Sequence, residues 1–135
     1  MMQSEILRGN AVVDGRDFHH WFVGPLENWC RANVLELDCT QFALRDTVVL
    51  EVKWGVHPAG QDRPGGWAPP SDKISLGILV RGDFLFRFRD PDLPSTLVEN
   101  RLSDEGDYVI WREDVEHSWR ALDESVILTV RWKPE

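Results

Sequence analysis

The residues with the most chemical content end one stretch, Gly106 to Trp119, which reads GDYVIWREDVEHSW. A Gly-Asp turn leads into four β-favouring residues, Tyr108 to Trp111, then an acidic turn, then His117 with Trp119 beside it. A histidine that enters a strand just after a turn can be aimed at a pocket. There an imidazole can ligate a metal, transfer a proton near neutral pH, or hydrogen-bond a ligand. Asp114 and Glu116, if close in space, would favour its cationic form. Glu116 and His117 are strand neighbours, so they are expected on opposite faces. His57 is a second imidazole, placed just before a proline-rich loop. His19 and His20 are adjacent, so at most one of them can join a site. Arg112 is a turn arginine able to meet a carboxylate. Neither a GxSxG elbow nor a phosphate loop or dinucleotide fingerprint is present.

The chain also holds seven tryptophans. Trp54 and Trp119 fall at strand positions expected to point inward, where they would wall a pocket or fill a core. Trp67 lies in the middle of Pro58 to Ser71, a stretch with four prolines and three glycines that cannot be a regular element. Loops of that length are uncommon in compact domains and often serve as lids. Trp67 therefore either covers a cavity or pins the loop to the surface.

These residues need strands to position them. Val48 to Val56 alternates, with Val48, Leu50, Val52, Trp54 and Val56 on one face and Glu51, Lys53, Gly55 and His57 on the other. Ile74 to Phe88 reads as a hairpin turning at Arg81-Gly82-Asp83. Ile74, Leu76, Ile78 and Val80, then Phe84, Phe86 and Phe88, stand in one parity; Ser75, Gly77 and Leu79 stand in the other. Arg89 to Ser95 reads as a turn, Thr96 to Leu102 and Asp107 to Trp111 as short strands, and Val126 to Trp132 as the last strand. Nearer the start, Glu5 to Val13 reads as an extended segment closed by Asp14-Gly15, and Val34 to Cys39 as a partly alternating one. Leu26 to Ala32 is a helical turn with Leu26, Trp29 and Cys30 on one face. Short strands with turns every 8–12 residues predict an all-β sandwich or barrel.

With 135 residues the chain is expected to be a single domain, an arm over about 1–47 and a core barrel over about 48–132. A net charge of −8 argues against nucleic acid and against an anionic membrane surface. The start lacks the basic and apolar regions of a signal peptide, and no apolar run approaches membrane-spanning length. The two cysteines, Cys30 and Cys39, form neither a CxxC pair nor a disulfide framework, so a reduced, cytoplasmic setting is expected.

In order and spacing, the segment from Ile74 to Phe88, with Gly106 to Trp119 and the final VILTVRW, resembles a small single-domain cupin over roughly residues 48–132. The resemblance implies a double-stranded β-helix, or jelly roll. Cupins carry two motifs. The second is matched at Gly106 and His117, although Arg112, Asp114 and Ala121 replace its proline, inner glycine and final asparagine. The first contributes two histidines and a glutamate. Counting back from Gly82 puts the glutamate position at Ser75 and the histidines within Ala68 to Ser71, which reads Ala-Pro-Pro-Ser. The resemblance therefore implies the fold with neither metal nor other cofactor.

In cupin register Ser75, Gly77 and Leu79 face the interior, although Leu76, Ile78 and Val80 are the more apolar set. Both faces can be buried if a second subunit covers the outer one, and the resemblance implies a homodimer. The expected function is binding of a small polar or aromatic ligand in the barrel. His117 would be the polar contact or acid–base group, Trp54, Trp67 and Trp119 the walls, and Ser75 a minor contact. The rivals are a non-enzymatic dimeric interaction or sensory module, and a metal-dependent enzyme with a site built from His57, His117 and a carboxylate.

Overall fold

The computed structural model describes residues 6–134. Among these residues eight strands form two antiparallel sheets: β1 (Trp21–Val23), β2 (Leu50–His57), β3 (Ile74–Arg81), β4 (Phe84–Asp90), β5 (Leu93–Leu102), β6 (Tyr108–Trp111), β7 (Glu116–Ala121) and β8 (Ser125–Trp132). The larger sheet has the order β1-β2-β8-β3-β6 and the smaller β5-β4-β7. The all-β jelly-roll expectation holds. Two short helices, α1 (Ala11–Asp14) and α2 (Leu26–Ala32), lie before β2. No helix among the described residues is long and apolar enough to cross a membrane.

The larger sheet has two faces of different chemistry, and the strand registers show it row by row. On the inner face, Glu51, Arg131, Ser75 and Trp111 form one cross-strand row, Lys53, Thr129, Gly77 and Val109 the next, and Gly55, Ile127 and Leu79 the third. On the outer face the rows are Leu50–Trp132–Ile74, Val52–Val130–Leu76–Ile110, and Trp54–Leu128–Ile78–Tyr108. Ser75, Gly77 and Leu79 are all buried, so β3 keeps the inward register that the cupin resemblance implies. Gly77 has a packing reason. A Cβ there would lie 2.9 Å from the Phe86 ring of the facing sheet. The core cluster is Leu79, Phe84, Phe86, Phe88, Leu102, Ala121 and Ile127, and it joins the two sheets.

Several local expectations change. Ile74 to Phe88 is not a hairpin, because β3 and β4 belong to different sheets. Gly82, at φ +115°, carries the chain across, and the buried Ser125 anchors the corner by accepting from the Asp83 amide at 3.0 Å. The true hairpin is β4–β5, closed by Pro91-Asp92, so both strands run further into Arg89 to Ser95 than its turn residues suggest. Pro94 is tolerated because β5 is an edge strand.

In the N-terminal arm, Ile6 to Val13 is not extended throughout; Ala11–Asp14 is helical, because Asn10 accepts from the Val13 amide at 3.1 Å and caps α1. Glu5 lies outside the described residues. Val34 to Cys39 forms no strand; it is a loop tied back to α2 by a Cys30–Cys39 disulfide. The expectation of reduced cysteines is thus corrected. The signal was missed because proximity here comes from the turn after α2 and not from a recognisable cysteine spacing. The arm has its own core of Phe18, Leu26, Cys30 and Phe42, and β1 joins it to the edge of the larger sheet.

The corner at Gly82 yields the first prediction. A side chain there meets a positive φ and runs into Ser125 Oγ and the Glu124 carbonyl. Gly82→Ala is expected to cost about 2 kcal/mol or more. This should appear as a Tm roughly 6 °C or more below wild type in a thermal melt. An unchanged Tm would refute the strained corner.

Candidate functional site

The barrel is hollow at one end. A cavity of about 350 Å³ opens between the sheets, lined on the larger sheet by Trp21, Lys53, His57, Ser75, Ile127, Thr129 and Arg131. The smaller sheet contributes Phe84, Phe86, His117 and Trp119, and Trp111, Arg112, Val115 and the 63–71 loop complete the wall. A cavity of this size falls within the range that holds small molecules.

Of the residues expected at the site, His117, Trp119 and Ser75 line the cavity together. Trp54 and Trp67 do not. Trp54 has the opposite parity from Lys53 and lies on the outer face, directly across from Leu128. Trp67 lies under the Arg89 guanidinium, 4.0 Å from the ring centroid, and Arg89 is in turn paired with Glu116 at 3.0 Å. Trp67 thus pins its loop. The loop itself runs beside β7. Ala68 donates to the His117 carbonyl at 2.7 Å, Arg63 to the Trp119 carbonyl at 3.0 Å and Gly60 to the Ala121 carbonyl at 2.7 Å. His117 is therefore held between β4, where it opposes Phe88, and a loop strung along its other side. Glu116 and His117 face different ways, as strand geometry requires.

His57 lines the cavity as well, with its ring 4.4 Å from that of Trp119 and 5.3 Å from that of Phe84. Its Nδ1 donates to Gln61 Oε1 at 2.8 Å, which leaves Nε2 as the acceptor of the neutral ring. The His117 ring rests 4.9 Å from Trp111. His19 and His20 are both exposed and outside the cavity wall.

The electrostatics reverse one expectation. Asp114 and Glu116 were expected to favour the charged form of His117. Instead burial, followed by the positive charges of Arg63, Lys53 and Arg131, pushes its pKa down to about 3. His117 is therefore a neutral imidazole at pH 7, with one donor and one acceptor. Lys53 is affected in the same way. Burial first, then Arg131 and Arg63, lower its pKa to about 8. His57 is lowered mainly by burial, against the opposing bond from Gln61.

Lys53, Arg63 and Arg131 are the lining residues that sequence reasoning passed over. Two signals were available. Lys53 shares the Glu51–His57 parity, and Arg131 falls between the outward Val130 and Trp132. Both read as polar outer positions only because the apolar face looked like the core.

The donor set does not fit the metal that the fold family commonly carries. The cavity wall offers two imidazoles but no carboxylate or thiolate, and both cysteines are in the disulfide. Among the described residues no three His, Cys, Asp or Glu side chains are grouped to hold an ion. Four cationic side chains on the same wall, Lys53, Arg63, Arg112 and Arg131, further oppose a divalent ion.

No family model matches the chain, and neither does any of the curated proteins. Solved structures do match in fold. KdgF from Halomonas sp. aligns with a TM-score of 0.53 and 19% identity, over 66% of this chain and 74% of that one. A conserved protein of unknown function from Streptococcus pyogenes aligns at 0.51 and 20%, over 67% and 69%. The cupin domain of Cnp3 from Schizosaccharomyces pombe aligns at 0.53 and 11%, over 64% and 54%. Identities this low establish likeness of fold. The chain has the fold of a small cupin.

The neutral state of His117 has a measurable consequence. Its folded pKa lies below the value of about 6.5 for a free histidine. The unfolded chain therefore binds the proton more readily between about pH 6.5 and 3. The stability contributed by neutral His117 is present above pH 6.5 and is lost as pH falls through that window. In thermal melts across this range, His117→Gln is expected to show a shallower loss of Tm than wild type. Parallel curves would mean that His117 is already charged in the fold.

Proposed function

We propose that this protein binds a small molecule in the barrel, without a metal, through aromatic walls and a neutral imidazole. The observation that carries the reading is the cavity of about 350 Å³ beside His117, lined by Trp111, Trp119, Phe84 and Phe86. A core built only for stability would close such a space, since voids forfeit contacts. The polar groups converge on it from separate elements: Ser75 from β3, Thr129 from β8, His57 from β2 and His117 from β7. Polar groups that converge on an aromatic-walled concavity are a usual feature of a ligand site. His117 serves as a hydrogen-bonding group; a proton-transfer role would require a ligand whose charge offsets the surrounding cations.

Filling the space tests the reading. A thermal-shift screen of small metabolites against wild type is expected to give compounds that raise Tm, by mass action on the folded state. Ser75→Leu, which places a larger side chain in the cavity, is expected to abolish those shifts while remaining folded by circular dichroism. Shifts that persist in Ser75→Leu would place binding elsewhere and overturn the proposal.

A second reading concerns the outer face of the larger sheet. Its three apolar rows run across four strands, and Tyr108 and Ile110 at its edge are 59% and 53% exposed. A contiguous patch of this kind marks an interaction surface. We propose that a second copy of the chain covers it, giving a homodimer. Light scattering coupled to gel filtration is expected to give twice the chain mass for wild type and the single mass for Ile78→Glu. A monomeric wild type would refute it.

A further inference from the structure

The charge inside the barrel is opposite to the charge of the whole protein. The chain carries −8, yet the cavity wall holds Lys53, Arg63, Arg112 and Arg131 and, among the described residues, not one Asp or Glu. The row structure of the inner face shows how this arises. Lys53 and Arg131 come from adjacent strands, two residues apart in register, so their side chains lie diagonally across the same face. Arg63 reaches the same space from the loop pinned along β7.

Arg112, at the rim, pairs with Glu113 at 3.5 Å. Among the described residues one carboxylate, Glu51, pairs with any of the other three cations, and it is already engaged. Glu51, 4% exposed, places one oxygen 3.2 Å from Lys73 and the other 3.3 Å from Arg131. Among the described residues Lys53 forms no ion pair. Its ammonium lies over Trp21, 5.1 Å from the ring centroid, and that ring also receives Arg131 at 5.5 Å. Two like charges on one indole, with a third nearby, repel each other. Such an arrangement destabilises the empty protein and is relieved by an anion seated among the charges. The other end of the cavity is mainly aromatic and apolar, with the His57 ring against Phe84 and Trp119. Ile127, Phe84 and Phe86 close it, with Trp119 alongside.

We propose that the ligand of this cavity is a small organic carboxylate, with its carboxylate held by Lys53, Arg63 and Arg131 and its apolar or ring-shaped body directed toward Phe84, Phe86 and Trp119. This deepens the ligand-binding reading given above and rests on it. The guanidinium of Arg131 suits a planar carboxylate, and Ser75 and Thr129, from the same two inner rows, offer hydroxyl donors beside it. Inorganic phosphate satisfies the cations but leaves the aromatic end empty, so it serves as the control for charge alone.

Calorimetric titration of the full chain decides the matter, with acetate, benzoate and 2-naphthoate each paired with its neutral primary amide, and with inorganic phosphate. The expected result is that benzoate or 2-naphthoate binds about tenfold or more tighter than its amide, as one charge-assisted contact implies. Both are also expected to bind tighter than acetate or phosphate. Lys53→Met should weaken carboxylate binding about tenfold while its Tm stays equal to or above that of wild type, because an unpaired repelling charge has been removed. Arg63→Gln, on the loop, should weaken the same ligands and gives a second test if Lys53→Met does not fold. Amides that bind as well as their acids, or a Lys53→Met protein with unchanged affinity, would overturn the carboxylate assignment and leave the cavity as a neutral-ligand site. Failure of every acid and amide to bind, together with an empty thermal-shift screen, would overturn the ligand-binding reading as well.

Discussion

Gly77 stands opposite Phe86, and the contact between them sets how the two sheets meet. Without a side chain on β3 at that point, the Phe86 ring rests directly against the larger sheet. Around it Phe84, Leu79, Ile127 and Ala121 form the packed end of the barrel. The aromatic pairs Phe84–Phe86 at 5.0 Å and Phe86–Trp111 at 5.5 Å continue the packing along one wall. Beyond this zone the inner positions of the larger sheet become small or charged, and the sheets no longer fill the space between them. The packed half and the hollow half follow from one alternation of residues read along β2, β3 and β8.

The hollow half is electrostatically unbalanced. A buried glutamate is shared between Arg131 and Lys73, Lys73 also pairs with Asp72, and among the described residues Lys53 and Arg63 form no ion pair, so the cavity keeps an excess of positive charge. Burial first, and then the same field, keeps His117 neutral and makes the Lys53 ammonium unusually acidic. Both groups respond to one set of neighbours, so they are electrostatically coupled although they sit on opposite sheets. The loop from Pro58 to Ser71 belongs to this arrangement. It brings Arg63 to the cavity, and its hydrogen bonds to β7 hold the backbone of His117 and Trp119.

Much of the fold was legible. Period-two alternation located β2, β3, β4 and β8, and the glycine turns at 82 and 106 marked where strands begin. The inward register of Ser75 and Gly77 followed from the cupin resemblance, against the hydrophobicity of the chain. Hydrophobic alternation alone pointed the other way and misplaced Trp54, because both faces of the larger sheet look partly apolar. The β3–β4 corner was misread for a related reason. A glycine turn between two alternating runs looks the same whether the second strand pairs with the first or crosses to another sheet. Near the start, Asn10 and the disulfide outweigh weak strand propensity, and neither leaves a clear periodic mark.

The amino-acid sequence by itself determined the strand content, the glycines that shape the corners, the histidine entering β7 and the absence of a first-motif ligand set. These depend on residue type and near neighbours, which the chain states directly. Tertiary structure alone decided that Lys53, Arg63 and Arg131 share one cavity, that His117 meets cations instead of Asp114 and Glu116, and that Trp67 is occupied by Arg89. Charge interactions act through space between residues from β2, a loop and β8 that lie far apart along the chain. Their sign and strength exist only once the sheets have closed.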